Sequence, residues 1–192
     1  PTGSLSKNLE GTNMTEFGLL KSRGIIGFTD GYKTIQNTRL MSRMMKSAYD
    51  LDCLIMQHVE DSELAKDGLV NEGIIATKLG LQGISDLAEK IIIERDLSLL
   101  EDFNCRYHIS QLSSSKSVDV IKSRKEKIKF SSGVSINNLS LNENDIGDFR
   151  TFLKLSPPLR SEEDRLSLIE GIKNDLIDVI VSDHIPEDEE SK

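Results

Sequence analysis

Cysteine, long apolar runs and basic residues are all in short supply in this chain. The two cysteines, Cys53 and Cys105, fall inside strand-like segments. That rules out a disulfide framework and suits buried thiols in a reducing compartment. No apolar run approaches the roughly 18 residues needed to cross a bilayer. The opening Pro1–Asn13 stretch has no apolar core of the kind a secretion signal carries. Lys and Arg number 24 against 32 Asp and Glu, a net charge of -8, which excludes nucleic acid as the main partner. One short basic stretch (Lys122, Arg124, Lys125, Lys127, Lys129) reads as a solvated helix end. There is no internal repeat and no low-complexity linker, so residues 1–192 read as one domain. These absences leave a cytoplasmic, non-membrane protein acting on a small molecule as the expectation.

What is present is an ordinary amount of core-forming material. Hydrophobic residues make up 37% of the chain and the mean hydropathy is -0.31. Strand-like and helix-like segments alternate, which predicts an α/β fold with a parallel sheet. Helices are expected over 14–23, 38–50, 85–103, 115–125 and 161–174. Thr38 and Ser85 are the expected caps of the second and third. Ser161 with Asp164 forms a capping box for the last. Leu87, Ile91, Leu97 and Leu100 form the expected apolar side of the long helix, and Phe17, Leu19 and Leu20 that of the first. Strands are expected over 25–29, 51–57, 105–109, 128–136 and 177–182. Residues 68–84 mix loop with a short helix, and 137–149 form a polar loop holding one turn of helix.

Only three histidines occur, and each sits at or just before the end of an apolar run: His58, His108 and His184. Asp30 has the same setting after Ile25–Thr29, and Asp183 precedes His184. Each alone has a plain structural reading: a turn aspartate before Gly31, or a core histidine bonded to backbone. Together they form a series of metal-capable side chains at successive strand ends. In a (β/α)8 barrel those ends share one mouth, where the chemistry collects. Imidazole and carboxylate suit zinc with an open coordination position. Strand alternation lets Glu60 share a face with His58 and orient its ring. It turns His184 away from Asp183, into a supporting role.

Several motifs in consistent order extend this. They are His58-Val59-Glu60-Asp61, Asn71-Glu72-Gly73, Leu79-Gly80-Leu81, Ala88-Glu89, Arg95-Asp96, Pro157-Pro158-Leu159-Arg160 and Asp183-His184-Ile185-Pro186. With them the chain resembles the dihydroorotases of the amidohydrolase superfamily over nearly all its length. The resemblance implies a metal-dependent cyclic amidohydrolase that interconverts N-carbamoyl-L-aspartate and dihydroorotate in pyrimidine synthesis, with two zinc ions in the intact enzyme. It implies that Asp30 bridges the metals, that His58 and His108 hold one, and that Asp183 ligates the other and shuttles the proton. An aspartate at the bridging position, where many relatives carry a carbamylated lysine, points to the dihydroorotase branch.

The chain departs from the family pattern at several points. The His-x-His pair of the first strand is not in this sequence, and a full barrel needs about 250 residues. The chain therefore reads as a fragment holding roughly strands three to eight, inactive alone. Ser156 and Glu187 stand at substrate-contact positions where the family has Asn and His, and Asn137-Asn138 replace a His-His pair. Two other readings follow. One is a non-catalytic partner of aspartate transcarbamoylase, which the retained Asp30, His58, His108 and Asp183 argue against. The other is an amidohydrolase acting on a different ring. The macromolecular partners that the resemblance offers are a second copy of the chain and aspartate transcarbamoylase.

Overall fold

The computed structural model of the protein describes residues 1–185 and 188. In chain order its elements are β1 (Thr2–Gly3), α1 (Phe17–Ser22), β2 (Gly27–Phe28), α2 (Thr38–Asp50), β3 (Leu54–Gln57), β4 (Val70–Asn71), α3 (Ile74–Leu79), β5 (Gly83–Ile84), α4 (Leu87–Phe103), β6 (Arg106–Leu112), α5 (Ser115–Arg124), β7 (Ser131–Ser135), α6 (Ile136–Ser140), α7 (Glu162–Lys173) and β8 (Val179–Val181). Six strands form one sheet in the order β1-β2-β3-β6-β7-β8, and every neighbouring pair is parallel. Helices separate consecutive strands of this sheet, as parallel pairing requires. This is the wall of an α/β barrel, and six strands make part of one. The strands β4 and β5 form a separate parallel pair.

Register sorts the residues onto two faces. Phe28 pairs with Ile55, Ile55 with Tyr107, and Gln57 with Ile109. These residues are buried, and the helices cover them: Gln57 Nε2 and the Tyr107 hydroxyl both donate to Asp96 of α4, at 2.7 and 2.6 Å. The opposite face carries Leu54, Met56, His108 and Ser131 in register. Alternation along β3 continues that face to His58. The main core joins Met41, Met44 and Met45 of α2 with Ile92, Ile93, Leu97 and Leu100 of α4 and the covered side of the sheet.

Several expectations need correction. The α2 cap is Asn37, whose side chain accepts from Leu40 N–H at 2.9 Å, not Thr38. At α4 Asp86 directly precedes the helix and makes no side-chain cap bond, while the expected Ser85 hydroxyl accepts from Leu87 N–H at 3.5 Å. Leu87 and Ile91 of α4 are exposed, while Ala88, Glu89, Ile92, Ile93 and Asp96 are buried. The two buried carboxylates rotate the inward face away from the side that hydrophobicity alone selects. Leu19 is likewise exposed in α1. Strand β6 runs on through Ser110 and Gln111 to Leu112, so His108 lies within the strand and not at its end. Residues 68–84 hold the β4–β5 pair as well as the expected helix, and the turn of helix expected within 137–149 is present as α6. The capping box of Ser161 and Asp164 is present, and both cysteines are free and buried.

Candidate functional site at the strand ends

The C-terminal ends of β2, β3 and β8 deliver Asp30, Tyr32, His58 and Asp183 to one side of the sheet. His58 is buried. Its Nε2 lies 3.3 Å from the Ser156 hydroxyl and 3.9 Å from Glu60 Oε1. Its Nδ1 is buried without a hydrogen-bond partner among the described residues. Such a nitrogen normally finds a donor, an acceptor or a metal. The main chain around it is well fixed: Thr34 Oγ1 donates to the His58 carbonyl at 2.7 Å and accepts from Glu60 N–H at 3.0 Å.

His108 is half-buried. Its Nδ1 is 2.8 Å from Ser131 Oγ, which leaves Nε2 as the open nitrogen. Burial pushes the ring below the usual histidine pKa, so it stays neutral and able to ligate; nearby Asp178 opposes this shift and Lys125 adds to it. Gly133 of β7 makes room for the ring. A Cβ there would stand 3.4 Å from His108 Nε2 and 2.6 Å from the Ser110 carbonyl.

Asp183 follows β8 in the left-handed backbone region, at φ 49°. Its Oδ1 accepts from the Tyr32 hydroxyl at 2.7 Å. The Tyr32 ring meets the His58 ring edge-on, with centroids 5.8 Å apart. Burial, then the bond to Asp183 and its charge, push the Tyr32 phenol up to about 12, so it remains a donor. Tyr32, Glu60, Ser156, Asp183 and Lys154 line one cavity of about 410 Å³. No sequence pattern marked Tyr32 or Lys154: both sit in polar loops, and only the closure of the chain brings them here.

Asp30 is placed differently from the expectation. Its buried carboxylate accepts from Ser6 N–H at 3.0 Å and from the Ser6 hydroxyl. Among the described residues no three His, Cys, Asp or Glu side chains stand together as a metal-binding group. The expected convergence of Asp30, His58, His108 and Asp183 is therefore not met by these side-chain positions. Ser6 satisfies the buried anion that was expected to face the histidines. His184 is exposed, and Glu187 lies outside the described residues.

The remaining motif residues build the support of the site. Buried Glu89 accepts from the N–H groups of Ser113, at 3.0 Å, and Ser114, at 3.3 Å, just beyond β6. Buried Arg160 donates to Ser113 Oγ at 3.0 Å, Asn71 Oδ1 at 2.8 Å and the Ile84 carbonyl at 2.7 Å. Asn138 donates to the Pro158 carbonyl at 3.0 Å. The turn that carries Ser156 to His58 is thus tied to β6, to the β4–β5 pair and to α6.

Comparison with known proteins gives the family and the fold. The family described as dihydro-orotase-like matches residues 4–117. The chain is 37% identical to a dihydroorotase of Desulforapulum autotrophicum over 187 residues, covering 97% of this chain and 44% of that protein. It is 40% identical to a dihydroorotase of Bacillus subtilis, covering 100% of this chain and 45% of the relative. The chain spans less than half the length of these curated relatives. Among solved structures, L-hydantoinase (dihydropyrimidinase) of Arthrobacter aurescens superimposes with a TM-score of 0.76 at 21% identity, over 95% of this chain and 42% of that one. D-hydantoinase from Thermus sp. gives 0.74 at 18% identity, over 98% and 43%. At such identities these structures speak for the fold alone.

Proposed function

The chain belongs to the dihydro-orotase-like family, and from that premise we propose that the protein opens and closes a cyclic amide, interconverting dihydroorotate and N-carbamoyl-L-aspartate with the help of bound metal. The observation that carries the reading is His58: a buried imidazole with an unpartnered Nδ1, packed against Tyr32, Glu60 and Ser156, which line the same cavity as Asp183.

The donor set fits a divalent cation of the zinc type. His58 offers an orphaned nitrogen, His108 offers Nε2 beside the space left by Gly133, and Asp183 offers a carboxylate. Imidazole and carboxylate are ligand types that zinc takes; His58 and His108 would hold one ion and Asp183 the other. Asp30 joins them only by exchanging Ser6 for the ion. When bound, the metal supplies Lewis-acid polarisation of the scissile amide and acidifies water. The protein's own groups do the rest. Ser156, next to His58 at the cavity wall, contacts the ring. Asp183 accepts the proton of the attacking water and delivers it to the ring nitrogen as the C–N bond breaks; in the reverse direction the same carboxylate takes that proton back. Glu60 holds the His58 ring in orientation. Zinc as the metal, pyrimidine synthesis as the setting and the cytoplasm as the compartment belong to this same proposal. No described helix is long and apolar enough to cross a membrane.

The test is steady-state turnover of both substrates by the intact, metal-loaded protein and its Asp183→Asn variant. The variant is expected to lose about 10²-fold or more in kcat, the scale of a general acid–base contribution, with its fold retained. Full activity in the variant removes Asp183 from the role. A metal-loaded wild type that turns over neither substrate overturns the proposal.

A further inference from the structure

We propose that Tyr32 is a positioning residue that holds Asp183 at the mouth of the cavity. The inference rests on the reading of Asp183 as the proton-carrying, metal-binding carboxylate. Tyr32 lies in the loop after β2 and Asp183 follows β8, and three strands of the sheet separate the two. Across that distance, and 151 residues apart in sequence, the phenol donates to Asp183 Oδ1 at 2.7 Å. The same ring leans edge-on against His58. One side chain thus touches both the carboxylate and an imidazole of the candidate site while lining its cavity.

Three features make the contact more than incidental. Asp183 has no other hydrogen-bond partner among the described residues, so nothing else there fixes its rotamer. It sits just beyond the last strand in the left-handed region, where the chain is leaving the sheet and its direction is least constrained by the ladder. And a carboxylate has about four acceptor sites. A single donor on Oδ1 orients the group and leaves Oδ2 open to a cation, to water or to a substrate proton. A phenylalanine in place of Tyr32 keeps the ring packing on His58 and removes the orienting donor, together with the contact that Gln111 makes to the phenol.

The experiment uses the full-length protein. Tyr32→Phe and Asp183→Asn are made singly and together. Two quantities are measured: kcat and KM for dihydroorotate in the metal-loaded protein, and zinc affinity by competition with a chromophoric chelator. Groups that orient metal-site residues contribute on the order of 10–100-fold. Tyr32→Phe is therefore expected to lower kcat and weaken zinc binding by about 10-fold or more, with KM and the thermal midpoint unmoved. A loss of general structural integrity would move the midpoint as well. In the Asp183→Asn background the Phe substitution is expected to add nothing, because Tyr32 acts through that carboxylate. Unchanged kcat and zinc affinity in Tyr32→Phe overturn the inference, and so does an equal loss in both backgrounds. If the wild type turns over neither substrate, the proposed function fails. The zinc-affinity cycle then decides the role of Tyr32 by itself.

Discussion

Arg160→Met in the intact protein probes how the site is braced. Arg160 is 3% exposed, and its guanidinium donates to Ser113 Oγ, Asn71 Oδ1 and the Ile84 carbonyl. Methionine matches much of the volume and none of the donors. Ser113 keeps its bonds to Glu89 and the Ile84 carbonyl keeps the Glu72 N–H at 3.1 Å, so one acceptor is orphaned: Asn71 Oδ1, on a buried side chain. That costs roughly 1–3 kcal/mol. Loss of the cation near buried Glu89 pushes the result toward the upper half. At roughly 2–4 °C per kcal/mol for a chain of this size, a loss of about 3 kcal/mol lowers the melting midpoint by roughly 6–12 °C. Denaturant titration and calorimetry measure it. Lys173→Met is the control: its pair with Glu170 is at the surface, with side chains 67% and 61% exposed, and is worth about 0–1 kcal/mol. If Arg160→Met costs no more than this control, the network does not brace the Ser156 turn as argued.

Two further outcomes follow from the geometry. Gly133→Ala places a Cβ 2.6 Å from the Ser110 carbonyl and 3.4 Å from His108 Nε2; it is expected to cost about 1–3 kcal/mol and to weaken zinc binding, both read on the intact protein by denaturation and chelator competition. Asp164→Asn tests pH dependence. Burial raises the Asp164 carboxyl, but hydrogen bonds from Ser115 and Ser161, with Arg160 nearby, outweigh it and hold it below the ordinary value. A depressed carboxyl stabilises above its unfolded pKa, about 3.9, and that stability is lost as pH falls through the lower folded value. The variant is expected to be about 1 kcal/mol less stable at pH 7 and to converge on wild type in strong acid. A difference that persists in strong acid contradicts the assignment.

The alternation of apolar runs with amphipathic segments was enough to read the parallel α/β architecture. It also put His58 and Asp183 at strand ends, because backbone sterics and hydrophobic period are local. Buried charge was not legible in the same way. Pattern places Glu89 and Asp96 on the solvent side of α4, and the structure buries both because Ser113, Ser114, Arg95, Gln57 and Tyr107 satisfy them. Those partners lie on other elements and carry no local signature; the motifs did mark Glu89, Arg95, Asp96 and Arg160, without saying what each does. Asp30 was read as facing the histidines, yet Ser6 holds it. Ser6 belongs to a loop after a two-residue strand too short for any periodicity to register. Tyr32 escaped notice for the same reason: its partner is supplied by the far end of the chain.

The proposed function requires His58 and His108 to hold a metal. The most direct measurement is the metal content of the intact protein, by elemental analysis after dialysis, for wild type and for the double variant His58→Ala/His108→Ala. The double variant is expected to retain at least one ion fewer per chain than wild type while folding normally. An unchanged metal content in a folded double variant would contradict the proposal.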